Sequence, residues 1–72
     1  MNDPAILTFL MFIIWQLAEA WNRAPADVYR ILARTNVIDG YLIPCYDTLH
    51  TLGARYLVED VSELVRERGE II

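Results

Sequence analysis

An apolar run near the N-terminus limits this chain more than any other feature. Residues 5–15 read AILTFLMFIIW, in which only Thr8 is polar. A membrane-spanning helix needs about 20 such residues, and this run is bounded by Asp3 before it and by Gln16 and Glu19 after it. A signal peptide is not expected either, because no lysine or arginine precedes the run. We therefore expect a buried helix and no membrane span.

The same run predicts a first helix that is apolar on nearly every side. Asp3 and Pro4 predict its start, because aspartate caps free N–H groups and proline has none to lose, and it should end near Asn22. The positions expected to face the core recur at helical spacing: Ile6, Phe9, Leu10, Ile13, Leu17 and Ala20. The opposite side should be polar in a monomer, yet it carries large apolar side chains. The predicted interface residues are Leu7, Met11, Phe12 and Trp15. The alternative is that the C-terminal helix covers them within one chain.

The small size of the chain also favours association. It has 72 residues, of which 56% are hydrophobic, so we expect one domain over residues 1–72. A domain this small buries only about 60% of its unfolded surface and usually needs a disulfide, a metal or a partner subunit. Cys45 is the only cysteine, so no intramolecular disulfide can form. We expect a homo-oligomer, with a dimer favoured, in the reducing cytoplasm.

Charge is unevenly distributed along the chain. Residues 1–36 carry three acidic side chains and three arginines, whereas residues 37–72 carry seven acidic side chains and three arginines. The net charge of −4 therefore belongs to the second half. Because acidic surfaces repel phosphate backbones, nucleic acid is not an expected partner.

Three further helices complete an expected all-α fold, a compact bundle of about four short helices. The second helix should span Pro25 to Arg34 and bury Val28, Ile31 and Leu32. The third should run from Tyr41 to Thr51, with Gly53 after its end. Its expected buried stripe is Leu42, Cys45, Leu49 and Leu52.

The C-terminal part of the chain is harder to interpret. Residues 54–58 fit either an extended segment or an early turn of the fourth helix. Asp60 followed by Glu63 resembles a capping box, which predicts that the fourth helix begins at Val61 and ends near Arg68. Residues 68–72 are expected to form a loose tail.

The run YLIPCYDTLHTLGARYLVEDV, which begins at Tyr41, resembles the signature of a family of small uncharacterised bacterial proteins. That signature is close to YLIxCYDxLHTxGxxY, and the matching positions are Tyr41, Leu42, Tyr46, Asp47, Leu49, His50, Thr51, Gly53, Tyr56, Val58 and Asp60. Pro44 and Ala24 depart from the pattern. The resemblance implies a short helical protein of no established activity, encoded near ADP-ribosyltransferase-like proteins. It thereby implies an antitoxin-like or accessory partner of a neighbouring enzyme.

Polar residues in this run form the one candidate recognition site: Tyr46, Asp47, His50 and Thr51. Asp47 and His50 share a helix face at i, i+3, where a carboxylate can orient an imidazole. The alternative is a structural role, in which these side chains hold the turn at Gly53 through backbone hydrogen bonds. One cysteine and one histidine are too few ligands for a zinc site within one chain. We expect no catalytic residue, no metal and no cofactor.

These observations predict a protein-interaction module that self-associates or binds another protein. A second hypothesis is a DNA-binding regulator in which the second and third helices form a helix-turn-helix. That reading is weaker because the third helix carries no arginine, and major-groove readers rely on basic or amide side chains. An enzyme or metal protein centred on His50 is the least favoured hypothesis.

Overall fold

A computed structural model describes residues 3–72 of the chain. The described part is helical and contains no strand. Its elements in chain order are α1 (Pro4–Trp21), α2 (Pro25–Arg34), a π-helical segment (Ile38–Leu42), α3 (Tyr46–Leu49) and α4 (Ala54–Glu67). The all-α prediction is confirmed, with five helical elements in place of about four.

The ends of α1 are set by the residues that the sequence indicated. The Asp3 carboxylate accepts a hydrogen bond from the Ala5 N–H at 2.9 Å, and Pro4 occupies the first turn. Asn22 adopts the left-handed conformation, with φ of 54°, directly after the last turn. A short polar side chain tolerates this conformation better than most residues do. The predicted bounds of the first helix are therefore confirmed.

The buried face of α1 differs from its prediction at one end. Phe9, Leu10, Ile13 and Leu17 are buried as expected, and Ile6 is half-buried. Ala20 was expected in the core but is exposed, and Ala18 is buried instead. Ala20 lines an open cleft against the first half of α4, so no neighbouring helix closes over it.

Helix α2 agrees with its prediction in both bounds and buried face. Val28, Ile31 and Leu32 are buried. The Thr35 hydroxyl donates to the Ile31 carbonyl at 2.7 Å, and Asn36 is left-handed with φ of 61°. These two residues end the helix.

The predicted third helix over Tyr41–Thr51 is wrong, because the chain instead forms the π-helical segment, a break and the single turn of α3. Pro44 has no N–H to donate to the carbonyl four residues before it, which interrupts an α-helix at this point. The wider π turn is closed by a 3.0 Å hydrogen bond from the Ile43 N–H to the Ile38 carbonyl. Of the predicted stripe, Leu42 and Leu49 are buried, Cys45 is half-buried and Leu52 is exposed.

Helix α4 begins earlier than its capping-box pattern predicted. Gly53 lies in an extended conformation just before its first residue, so it precedes α4 and does not end the helix before it. Asp60 lies in the middle of the helix, and Ala54–Val58 is helical. Leu57, Val61 and Val65 are all buried at four-residue spacing. Burial of this continuous apolar stripe stabilises one helix through all three residues, and it does so more strongly than a cap at Asp60 would stabilise a later start.

Helix α1 lies at the centre of the fold and packs against both α2 and α4. The indole N–H of Trp21 donates to the buried Ser62 hydroxyl at 2.8 Å, which fixes α1 against α4. By length and composition α1 is the one described helix able to cross a membrane. Five of its residues are buried within the domain.

The last residues differ from the expected loose tail. Glu70 accepts two hydrogen bonds from the Arg34 guanidinium, both at 2.7 Å. Arg23 donates to the Ile71 carbonyl at 2.9 Å, and Ile72 packs against the core. The end of the chain therefore lies against α2 and the loop that precedes it.

Candidate protein-interaction surface

A row of large apolar side chains lies uncovered along α1. We define the α1 stripe as Leu7, Met11, Phe12 and Trp15, whose exposed fractions are 53%, 55%, 42% and 62%. Leu7, Met11 and Trp15 follow one another at four-residue spacing and so lie along a single ridge of the helix. Because α4 packs elsewhere on α1, the alternative in which the C-terminal helix covers these residues is not what the structure shows. All four predicted interface residues lie at the surface.

A groove runs beside the α1 stripe, between α1 and α2. This α1–α2 groove has a volume of about 340 Å³ and is lined by Leu7, Leu10, Met11, Ile14, Tyr29, Ala33, Ile38 and Asp39. Tyr29, 55% exposed, and the small residue Ala33 form its α2 side. Leu7 and Met11 belong to both the stripe and the groove, so ridge and groove form one continuous apolar face. Sequence reasoning missed Tyr29 and Ala33, which periodicity places outside the buried stripe of α2.

This face carries almost no charge. No ionisable side chain occurs in α1 between Asp3 and Glu19, and Asp39 is the only acidic residue that lines the groove. The acidic side chains of the second half lie largely on α4, where Glu59, Glu63 and Glu67 are exposed. The apolar face and the acidic face are therefore carried by different helices.

The predicted recognition residues lie together, but their contacts are with each other and with the backbone. The His50 ring stacks on Tyr46 with centroids 4.6 Å apart, and its Nδ1 lies 2.8 Å from the Tyr46 carbonyl oxygen. Phe9 of α1 packs edge to face with Tyr46, with ring centroids 5.4 Å apart. The Thr51 hydroxyl donates to the Thr48 carbonyl at 2.8 Å. These contacts hold the single turn of α3 against α1.

Asp47 does not orient His50 as the spacing suggested. Both side chains are exposed, and within residues 3–72 no hydrogen bond or ion pair joins them. Because a carbonyl oxygen only accepts, Nδ1 of His50 is the donor in its contact with Tyr46. The described residues contain no group of three or more His, Cys, Asp or Glu able to hold a metal ion. His50 and Thr51 bond to backbone carbonyls of α3, whereas the structural alternative expected His50 and Asp47 to hold the turn at Gly53.

A second polar contact, which the sequence did not predict, joins the π-helical segment to α4. The Tyr41 hydroxyl donates to the Asp60 carboxylate at 2.5 Å. This hydrogen bond, together with partial burial, raises the pKa of Tyr41 from 10.0 to about 12. The phenol therefore stays protonated and acts as a hydrogen-bond donor. Both residues belong to the signature run, and that shared membership was the only sequence signal for the pair.

The helix-turn-helix hypothesis requires a recognition helix after α2. A recognition helix must be long enough to lie in the major groove. The next elements here are the π-helical segment and the four residues of α3, and neither is a helix of that length. The geometry therefore gives this hypothesis no support.

Comparison with known proteins identifies one family. A family model described as "Protein of unknown function (DUF3791)" matches residues 8–68 of the chain. No curated protein matches the chain, and no solved structure does. The match spans α1 from Thr8 onward, α2, the signature run and α4, and it begins one residue after Leu7 of the α1 stripe.

Proposed function

The chain belongs to this family of unknown function, and we propose that it is a non-catalytic protein-interaction module that self-associates as a dimer through the α1 stripe. The observation that carries the proposal is the exposure of Leu7, Met11, Phe12 and Trp15 on one side of the central helix. Continuous apolar patches on small soluble domains typically mark interaction sites. Aromatic residues and methionine are also enriched in the cores of such interfaces.

The small size of the domain supports the same proposal. A chain of 72 residues has a limited core of its own, and the described part contains no disulfide or metal cluster to reinforce it. Burial of the α1 stripe against a second protein would add apolar area at about 25 cal/mol per Å² removed from water. Association then completes the hydrophobic core around α1.

Trp15→Glu tests this proposal. Because Trp15 is 62% exposed, a charge at this position leaves the core of one chain intact but places an unpaired carboxylate in the interface. We expect a helical monomer, detected by light scattering and circular dichroism. Tyr56→Glu on α4 is the matched control, since Tyr56 is 56% exposed and does not line the clefts between α1 and α4. A Trp15→Glu variant as dimeric as the wild type would contradict the proposal.

We also propose that the acidic face of α4 binds a basic surface on a second protein, as an antitoxin-like or accessory module does. Glu59, Glu63 and Glu67 follow one another at four-residue spacing, an arrangement of like charges that destabilises an isolated helix. Among the described residues only the first of these has an ion-pair partner, Arg55 at 3.5 Å. A basic partner would offset this repulsion.

Affinity purification of the tagged protein from its native cell tests the second part of the proposal. We expect a co-purifying protein that is released as the salt concentration rises, because exposed ion pairs are screened by salt. The triple variant Glu59→Gln, Glu63→Gln and Glu67→Gln should lose that protein and remain a dimer. Retention of the partner by the triple variant would contradict a role for this face.

A further inference from the structure

We infer that the second copy of the chain seats its α1 in the α1–α2 groove, so that Tyr29 and Ala33 of α2 form part of the dimer interface. This inference rests on the proposed self-association and adds to it the place where the second helix lies. The α1 stripe alone does not specify that place, because a partner helix could cross it at many angles.

Shape is the first argument for this seat. A dimer with two-fold symmetry needs one surface that is complementary to itself. The α1 stripe is a ridge, and the α1–α2 groove beside it shares Leu7 and Met11 with that ridge. A third helix packs well in the depression between two neighbouring helices, where axes approach to about 8–10 Å. The small side chain of Ala33 leaves room for such an approach from the α2 side.

Charge is the second argument, and it selects a second copy as the occupant. Asp39 is the only acidic residue among the groove-lining residues, so a helix seated there must be apolar over several turns. The α1 helix has no charged side chain between Asp3 and Glu19, whereas α2 and α4 carry several charges each. Contact through residues 37–72 would also bring two acidic halves together. At the α1–α2 groove, Asp39 is the one acidic side chain of that half that lines the contact.

Size is the third argument. An α1 of 18 residues is about 27 Å long. Together with the neighbouring part of α2, it offers a face of roughly 400 Å² in projection if each helix is about 10 Å wide. The uneven surface of packed side chains exposes more area than its projection. This is of the order that the smaller stable interfaces bury on each partner, about 600 Å².

Ala33→Arg tests whether the partner helix lies in the α1–α2 groove, and it leaves the α1 stripe unaltered. Ala33 is exposed in the last turns of α2, where arginine is a good helix former and its charge suits the helix C-terminus. The variant should fold, and the long charged side chain should fill the groove. Ala20→Arg is the matched control, because Ala20 is an exposed alanine near the C-terminus of α1 on the side away from the stripe.

The measurement is the dimer dissociation constant by analytical ultracentrifugation, with helix content checked by circular dichroism. We expect Ala33→Arg to raise the constant by at least about tenfold and Ala20→Arg to leave it within about twofold of the wild type. If Ala33→Arg dimerises like the wild type while Trp15→Glu is monomeric, the groove seat is overturned and the proposed self-association stands. If Ala33→Arg has less helix than the wild type, Ala33→Gln is used as the test variant, and its dimer dissociation constant must still exceed that of the wild type. A monomeric wild type overturns the proposed self-association itself.

Discussion

Tyr41 and Asp60 show how single residues of the signature run serve the fold. They are far apart in sequence, yet their hydrogen bond joins the π-helical segment to α4. Tyr46 and His50 likewise stack on one another and hold α3 against α1. Of the residues that look most like a polar site, Tyr46, His50 and Thr51 make contacts within the chain, whereas Asp47 is exposed. The four side chains of the α1 stripe, by contrast, are large, mainly apolar and exposed.

Tyr41→Phe should destabilise the protein by about 1 kcal/mol, the typical net contribution of one partly buried hydrogen bond. Urea denaturation measures the change, and Tyr56→Phe is the control because that ring is exposed. The pH dependence has a definite sign. Since the folded state raises the pKa of Tyr41 from 10.0 to about 12, the contribution is complete below pH 10 and is lost as the pH rises toward 12. Equal stability of Tyr41→Phe and the wild type would show that this bond is unimportant.

Glu70→Gln should weaken the contact between the C-terminal residues and α2. The hydrogen bonds from Arg34 lower the pKa of Glu70 below its usual 4.5. Its contribution to stability is therefore present above pH 4.5 and is lost as the pH falls through the lowered pKa. The difference in unfolding free energy between wild type and variant should be present at neutral pH and vanish in acid. Glu59→Gln is the control, because it removes an exposed 3.5 Å ion pair and should change the unfolding free energy little. A difference for Glu70→Gln that does not vary with pH would contradict the role given to the Glu70 carboxylate.

At the scale of the elements, apolar periodicity predicted α1 and α2 well and the segment between α2 and α4 poorly. The caps of α1 and the buried stripe of α2 depend on neighbouring residues, so the sequence alone was enough to place them. The π-helical segment depends on Pro44, which the sequence shows, and on packing against the core, which local patterns miss. Pro44 removes a hydrogen bond, and buried Ile38 and Leu42 draw the backbone toward the core. Asp60 was interpreted as a helix cap because a local pattern does not show its hydrogen-bond partner, Tyr41, which lies in another element.

The same substitution at a buried and at an exposed position of α1 should have different effects. Leu17 is fully buried, whereas Leu7 is 53% exposed. Leu17→Ala should cost about 2–5 kcal/mol of unfolding free energy through the cavity it leaves. Leu7→Ala should cost less than about 1 kcal/mol when measured by urea denaturation at protein concentrations where the chain is monomeric.

Leu7→Ala should instead weaken association, because it removes apolar area from the α1 stripe. Its dissociation constant, measured by sedimentation, should exceed that of the wild type, while its far-ultraviolet circular dichroism should be unchanged. An effect of Leu7→Ala on monomer stability as large as that of Leu17→Ala would show that Leu7 belongs to the core of one chain.

At the scale of the whole molecule, the central helix has two apolar sides and only one of them is covered. Helices α2 and α4 pack on α1, the α1 stripe is exposed, and the α1–α2 groove lies between that stripe and α2. The first half of the chain is neutral and the second half carries the net charge of −4. Apolar contact and charge are thus separated, which suits a module that binds a second copy with one face and another protein with the other.

The mass of the unmodified protein in solution tests the central claim most directly. Sedimentation equilibrium over micromolar to millimolar concentrations should show a reversible increase from the chain mass of 8.3 kDa to twice that value. High salt should preserve or strengthen the dimer, because its interface is apolar and the two copies carry the same charge. A mass of 8.3 kDa at every concentration would contradict self-association through α1.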